Sequence, residues 1–516
     1  MTDHKDGRKT PAAETRTPVI TGGKPVDPRR RELLAGIAAA TGAFALGGCG
    51  GDGADDLQGG GGGGGSGQGG ESALPPPEES GIDHIVVVMM ENRSFDHYLG
   101  WVPGADGLQE GLAFPDKNGV MRETFHLASH EEYGYQGCGK EDPGHGYGDG
   151  RVHLNEGAMD GWLQTVDDAN VDNDFFPIGY YTADDVPFFK GVVENYTICD
   201  RYFTGILGST FPNRVYMHSG ATDRTSNGFA PDDFGAPVGP TTIPTVWDRL
   251  AEVGASRAYY FQDLPVTAFW GQAYLDITRP YSSFLLEAAA GLLPSVSFVE
   301  PFFGAAVGES PYGISTDDHP QADIRNGQAF LNQVYNALRN GPNWDRTLLV
   351  INYDEWGGFY DHVVPPVLPV SEHEASLGND GRLGFRVPCA IIGPRARRGH
   401  VSHTTFSPSS ILKMIEWRFG TGPVSLRSEY SNNMATALDF SGDPHTEAPA
   451  FNVPTGPFGM ECGTGFPQLI DVIGPPTTVL PSTTSGASSE RHPSMDAHAA
   501  DWQKLYEIAK GYGFPV

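Results

Sequence analysis

The stretch GIDHIVVVMMENRSFDHYLG, Gly81 to Gly100, holds an unbroken apolar run from Ile85 to Met90 that stops at four polar residues, Glu91, Asn92, Arg93 and Ser94. A run of that length and so rich in β-branched side chains reads as a buried strand. In open α/β sheets ligands bind beyond the carboxyl ends of the strands, where the loops leave a crevice. Glu91 offers a hard anionic oxygen and Asn92 a neutral carbonyl oxygen, which suits a cation or a phosphate-bearing metal site. The same residues also read as a plain solvated strand end.

Working outward, the pattern is α/β. Candidate strands are 85–90, 196–199, 259–262, 296–300, 347–353 and 387–392, and candidate helices are 244–252, 323–339 and 409–419. In 323–339, Phe330, Val334 and Leu338 recur every four residues, an apolar stripe that faces a core. Strands alternating with helices predict a mainly parallel sheet covered on both faces. Asp354 and Glu355 fall just past the 347–353 strand as Glu91 and Asn92 fall past the first, so two parallel strand ends bring distant oxygen ligands together. Gly357 and Gly358 then permit a sharp backbone turn close to an ion or phosphate.

Three blocks carry a family resemblance. MMENRSFDHYLG, then LGSTFPNRVYMHSG (207–220) and INYDEWGGFYDHVVPP (351–366), resemble in the same order the blocks of the bacterial phosphoesterase family that contains phospholipases C and acid phosphatases. The resemblance runs from residue 82 to residue 419. It implies an alkaline-phosphatase-like α/β sandwich with a mainly parallel central sheet flanked by helices. It also implies a divalent metal ion held by Glu91, Asn92 and Asp354, with Glu355 a ligand or its close neighbour.

The family's nucleophilic hydroxyl stands two residues before the Pro-Asn pair, which here makes it Thr210, with Ser209 directly before it as the alternative. A hydroxyl beside a metal is deprotonated at neutral pH and attacks phosphorus in line, so Thr210 counts as a ligand too. His145 and His319 match histidines that the family places near its phosphate, and either could protonate the leaving group. Arg214 is a candidate phosphate clamp, while Gly208, Pro212 and Asn213 read equally as turn chemistry. His362 and His153 are weaker candidates, and His403 is read as uninvolved. All-oxygen ligands suit Ca, Mg or Mn, and nearby histidines also admit Zn or Fe, so the metal's identity stays open.

Composition narrows the partners. Lys plus Arg is 34 against 64 for Asp plus Glu, a net charge of −30, which argues against nucleic acid and against simple electrostatic docking on anionic lipid. An anionic substrate stays compatible with that surface, because a metal ion dominates the local field in a cleft. Five cysteines are few for a disulfide scaffold. Apart from Cys49, the remaining Cys138, Cys199, Cys389 and Cys462 allow three pairings or free thiols, and no zinc-type spacing is present.

Residues 1–49 read as an export signal region. Arg29, Arg30 and Arg31 precede Leu33, Leu34 and a short Ala/Gly-rich apolar stretch, a pattern resembling a twin-arginine signal peptide. Leu46, Gly47, Gly48 and Cys49 resemble a lipobox, with Cys49 the lipidated residue of a membrane-anchored lipoprotein, periplasmic or at the cell surface. Residues 50–80 form a Gly-rich flexible tether, 81–474 the catalytic domain, and 475–516 a Pro/Ser/Thr linker and terminal helix in which Trp502, Leu505, Tyr506 and Ile508 line one face.

The functional expectation is a metal-dependent phosphoesterase, of phospholipase C type, cleaving phospholipid headgroup phosphodiesters through a phosphoryl-enzyme intermediate. The alternatives are an acid phosphatase acting on small phosphate monoesters and a non-catalytic surface lipoprotein that binds phosphorylated ligands. A sulfatase is disfavoured because no Cys-x-Pro-x-Arg or Ser-x-Pro-x-Arg occurs. The lipid reading leans on rings in and beside 101–180, including Trp101, Tyr133, Tyr135, Tyr147, Trp162, Phe175, Phe176, Tyr180, Tyr181, Phe188 and Phe189. These could line a mouth for a choline-like cation or acyl glycerol, or form loop core.

Overall fold

The computed structural model describes residues 74–516 apart from 131, 167–173, 229–239, 305–311, 461 and 463–493. The signal region with Cys49, most of the tether and most of the C-terminal linker therefore lie outside the described residues.

Among the described residues an eight-stranded sheet forms the centre. In chain order its strands are β1 His84–Met90, β2 Thr197–Cys199, β3 Arg257–Phe261, β4 Thr278–Pro280, β5 Val296–Val299, β6 Thr347–Tyr353, β7 Ala390–Ile392 and β8 His400–Ser402. They lie in the order β8-β2-β7-β6-β1-β5-β3-β4. Only β7 runs antiparallel to its neighbours, so the expected mainly parallel α/β sandwich is the observed architecture. The two longest strands, β1 and β6, are adjacent at the middle, and Ile85 to Val88 and Leu348 to Ile351 have no exposed surface. Central strands covered on both sides need continuous apolar runs, which is why these two were legible.

Helices flank the sheet in two groups. Ile324–Arg339 packs against Pro187–Asn195 and Tyr281–Ala290, while Thr210–Ser219 packs against Pro408–Phe419 and Val246–Glu252. Phe330, Val334 and Leu338 are all buried, as their spacing required. The region 101–180, rich in rings, has structure of its own. It carries two small two-stranded sheets and the helix Tyr147–Leu154.

The four cysteines divide into two pairs. Cys138 and Cys462 form a disulfide, and Cys199 and Cys389 are buried free thiols. The bridge lies beside the 319–321 loop, since the Gly137 N–H donates to the Pro320 carbonyl at 3.2 Å. No helix among the described residues is long and apolar enough to cross a membrane.

Candidate active site

The register of β1 and β6 builds the site. Met90 pairs with Tyr353, so the next residue on each chain, Glu91 and Asp354, leave the sheet side by side, and both are fully buried. The Asn92 N–H donates to Asp354 Oδ1 at 3.3 Å, closing one loop onto the other. Asn92 has a left-handed backbone, φ 58°, a conformation that Asn tolerates better than most residues and that concentrates at functional sites. Gly357 makes this approach feasible: its φ is +62°, and a Cβ there would collide with the Asn92 carbonyl. At Gly358, φ +75°, a side chain would strike Pro143 and Gly144, the segment that presents His145.

Arg214 binds these strand ends together. Its Nη2 donates to Glu91 Oε1 at 3.2 Å, its Nε to Asp354 Oδ2 at 3.1 Å and its Nη1 to Glu300 Oε2 at 2.6 Å. Arg214 was expected as a phosphate clamp; in the structure each of its three guanidinium nitrogens donates to a carboxylate, so it holds the acids of the site. Burial works against its charge, but Glu300, Asp354 and Glu91 outweigh that and hold it protonated. Glu300 was not singled out from sequence. It follows β5 as Glu91 follows β1, so the strand-end rule could have found it had the strand been ended at Val299.

Thr210 opens the helix Thr210–Ser219, with Ser209 as its N-cap. The sequence reading placed the nucleophile here and left Gly208, Pro212 and Asn213 open to turn chemistry, and the structure supplies both a turn and a helix. Asn213 sutures the turn: its Nδ2 donates to the carbonyls of Ile206, Gly208 and Ser209, and its Oδ1 accepts the Ile206 N–H. Thr210 stands one helical turn before Arg214, on the same face of the helix. Its hydroxyl is buried with no hydrogen-bond partner among the described residues, as are both side-chain polar atoms of Asn92.

Histidines close the other side. His145 Nε2 lies 3.7 Å from Glu355 Oε1, and its Nδ1 contacts the Pro143 carbonyl at 2.7 Å. His319 Nε2 lies 3.6 Å from Asp142 Oδ2, and His145 Nδ1 lies 4.0 Å from Asp142 Oδ1, so one acid faces both rings. Nothing in the sequence pattern marks Asp142. Arg93 ties this group to the first block by donating to the carbonyls of Asp318 and His319 at 2.7 and 3.2 Å.

The electrostatics show a site short of positive charge. Burial, opposed by Arg214, leaves the Asp354 carboxyl raised to about 6. Burial raises Glu91 well above the carboxylate range, with Asp354 adding to the effect. Glu355 is likewise raised, chiefly by burial. Burial disfavours the His145 cation, but Glu355 and Asp142 outweigh it and raise that ring to about 9.

The weaker candidates His153 and His362, and His403, which was read as uninvolved, fall elsewhere. His153 is buried against Thr165 and Trp356, and burial lowers it to about 3. His362 belongs to a separate cluster with Asp96 and Asp361, and His403 pairs with Asp200 at 2.8 Å. Of the two readings of the rings, loop core holds for Tyr133, Trp162, Phe176, Tyr180, Tyr181, Phe188 and Phe189, which are buried, while Trp101, Tyr135, Tyr147 and Phe175 are half-buried. Rings in a poorly periodic segment were needed to give it a core of its own, Trp162 packing edge-on to Phe385 at 4.8 Å.

A model of the phosphoesterase family matches residues 82–422. The chain belongs to the phosphoesterase family. Non-specific phospholipase C3 of Arabidopsis thaliana is 31% identical over 405 residues, covering 72% of this chain and 76% of that protein. Phospholipase C A of Mycobacterium tuberculosis is 28% identical over 465 residues, covering 79% and 84%. Among solved structures, an alkaline phosphatase superfamily protein from Vibrio parahaemolyticus covers 64% of this chain and 82% of its own at 11% identity and a TM-score of 0.33. That likeness is slight. This phosphoesterase is a hydrolase acting on phosphoric esters, and the expectation of a non-catalytic binding lipoprotein is set aside.

Proposed function

We propose that this phosphoesterase is a metal-dependent enzyme of phospholipase C type that cleaves phospholipid headgroup phosphodiesters through a phosphoryl group on Thr210. One observation carries the reading. Among the described residues, the side-chain oxygens of Asn92 and Thr210 and Glu355 Oε1 are buried without hydrogen-bond partners, beside the carboxylates of Glu91 and Asp354, which share Arg214 with Glu300. Buried polar atoms are almost always satisfied, so a cluster of unsatisfied oxygens amid excess negative charge fits a cation. Glu91, Asn92, Thr210, Asp354 and Glu355 would hold it, and their all-oxygen set suits a hard divalent ion. When bound, such an ion lowers the pKa of a ligating hydroxyl and offsets charge on the phosphoryl oxygens.

The chain's own residues supply the rest. Thr210 Oγ1 attacks phosphorus, forming the Thr210 O–P bond as the P–O bond to the glycerol breaks. The glycerol oxygen takes its proton from His145 or His319, both held against Asp142. Thr210 also sits at a helix N-terminus, where backbone N–H groups and the helix dipole favour phosphate oxygens. Water then cleaves the phosphoryl-threonine and releases the headgroup phosphate. The relatives named phospholipases C support the lipid substrate, while an acid phosphatase would use the same groups on a monoester. Cys49, by its lipobox-like context, is proposed as the lipidated residue that keeps the exported enzyme at a membrane.

Thr210→Ala is expected to lower turnover by about 10³-fold or more, with Thr210→Ser retaining part of it. Acid quench and peptide mapping should find phosphate on Thr210, and phosphate on Ser209 would overturn the assignment. Catalytic efficiency on phosphatidylcholine against an aryl phosphate decides the substrate, a strong preference for the aryl phosphate refuting the lipid reading.

A further inference from the structure

The family match ends at residue 422, yet a side chain far beyond it touches the site's scaffold. The helix Ser494–Tyr512 packs beside Val266–Trp270 and buries Trp502 completely. The Trp502 ring stacks on Phe303, with centroids 4.4 Å apart and planes 20° apart. It also meets Phe211 edge-on at 5.1 Å. The Arg214 guanidinium lies 4.7 Å from the Phe303 ring centroid and 5.8 Å from that of Trp502. Phe211 directly follows Thr210, and Arg214 holds Glu91, Glu300 and Asp354, so one tryptophan braces both functional ends of the same helical turn.

We infer that Trp502 is a positioning residue for phosphoester hydrolysis: its ring, through Phe303 and Phe211, fixes the helix Thr210–Ser219 so that Thr210 and Arg214 stay aimed at the β1 and β6 strand ends. The physical case is geometric. Asn213 sutures the turn only to its own neighbours, the backbone of Ile206, Gly208 and Ser209. The flat rings of Trp502 and Phe303 meet Phe211 and Arg214 from other parts of the chain and resist rotation of the helix. Aromatic faces also attract the guanidinium where water is excluded, which keeps Arg214 in place between its three acids. Displacement of a reacting group by about 1 Å costs on the order of 10²-fold in rate, so a brace acting on the nucleophile's own turn is read in turnover. The C-terminal helix thereby completes the site from outside the segment that defines the family.

This inference rests on the reading of Thr210 and Arg214 as site residues, and the experiment separates the two. In the full chain, Trp502→Leu keeps an apolar side chain but removes the ring, whereas Trp502→Phe and Trp502→Tyr keep a ring on Phe303. Turnover and KM are measured on folded protein, with thermal melts run in parallel. Trp502→Leu is expected to lower kcat by about 10- to 100-fold with KM changed less than about threefold. The Phe and Tyr variants should keep more than about half of wild-type kcat, even where their melting temperatures fall as far as that of the Leu variant. A Trp502→Leu enzyme with wild-type kcat, or ring variants in folded form that lose more than about tenfold, overturns the inference. Thr210→Ala in the same assay reads the nucleophile separately: if it stays active while Trp502→Leu is impaired, the nucleophile assignment fails and the bracing of Arg214 stands.

Discussion

Two buried acid clusters hang from the same pair of sequence blocks, and they are built to opposite ends. In one, Asp96, Asp361 and His362 place ligand atoms within 4.8 Å of one another, a spacing that a metal could use. Every carboxylate oxygen there is already taken. Asp96 accepts from the Arg386 Nη2, the Leu108 N–H and both the N–H and the ring of His362. Asp361 accepts from the Arg386 Nε and the Val363 N–H. In the other, Glu91, Glu300 and Asp354 divide a single arginine while Asn92, Thr210 and Glu355 keep unsatisfied buried atoms. Proximity of acids is common to both, and saturation separates them. A cluster that satisfies itself is structure, and one left short of donors and positive charge is a place for chemistry.

The largest expected effect lies in the unsaturated cluster. Asp354→Asn removes a carboxylate from the strand end while keeping its shape, and it is expected to lower turnover by about 10³-fold or more, measured on phosphatidylcholine with protein shown folded by circular dichroism. In the saturated cluster the same experiment should read stability. Arg386→Leu leaves Asp96 and Asp361 buried without their cation, and unfolding is expected to become easier by about 3–5 kcal/mol in denaturant titration. A catalytic defect larger than the stability loss would erase the distinction between the clusters. Smaller again is the disulfide: Cys138→Ser is expected to remove about 2–5 kcal/mol of stability, seen as a lower melting temperature under non-reducing conditions.

The fold's centre was legible because β1 and β6 are long and buried on both faces, so their apolar runs had no competing period. Their polar ends, Glu91, Asn92, Asp354 and Glu355, followed directly. Four strands have only three residues, β2, β4, β7 and β8: β2 and β7 were seen because the candidate runs began earlier, at Tyr196 and Val387, and β4 and β8 were not seen. The helix after Ser209 was hidden by Gly208, Pro212 and Asn213, residues that signal a turn, although Pro212 and Asn213 stand in the first turn of the helix itself. Glu300 was absorbed into its strand. The rings of 101–180 could not be divided between mouth and loop core because their burial depends on partners such as Phe385, far along the chain. Saturation was beyond sequence altogether, since Arg386 lies 25 residues from Asp361 and nothing in its surroundings marks the pair.

A smaller, separate check concerns the anchor. Cys49→Ala is expected to move the protein from the membrane fraction to a soluble or unprocessed form, and wild-type protein found intact and soluble outside the cell would contradict lipidation.

The most direct test of the contrast between the clusters is metal content measured alongside activity. Wild type, Asp354→Asn and Asp361→Asn are purified, analysed for bound divalent metal by mass spectrometry, and assayed before and after chelation and refilling. The account predicts bound metal and chelator-sensitive hydrolysis in wild type and in folded Asp361→Asn, with both lost in Asp354→Asn. Full activity of the wild type after complete removal of metal, or metal retained in Asp354→Asn and lost in Asp361→Asn, would contradict it.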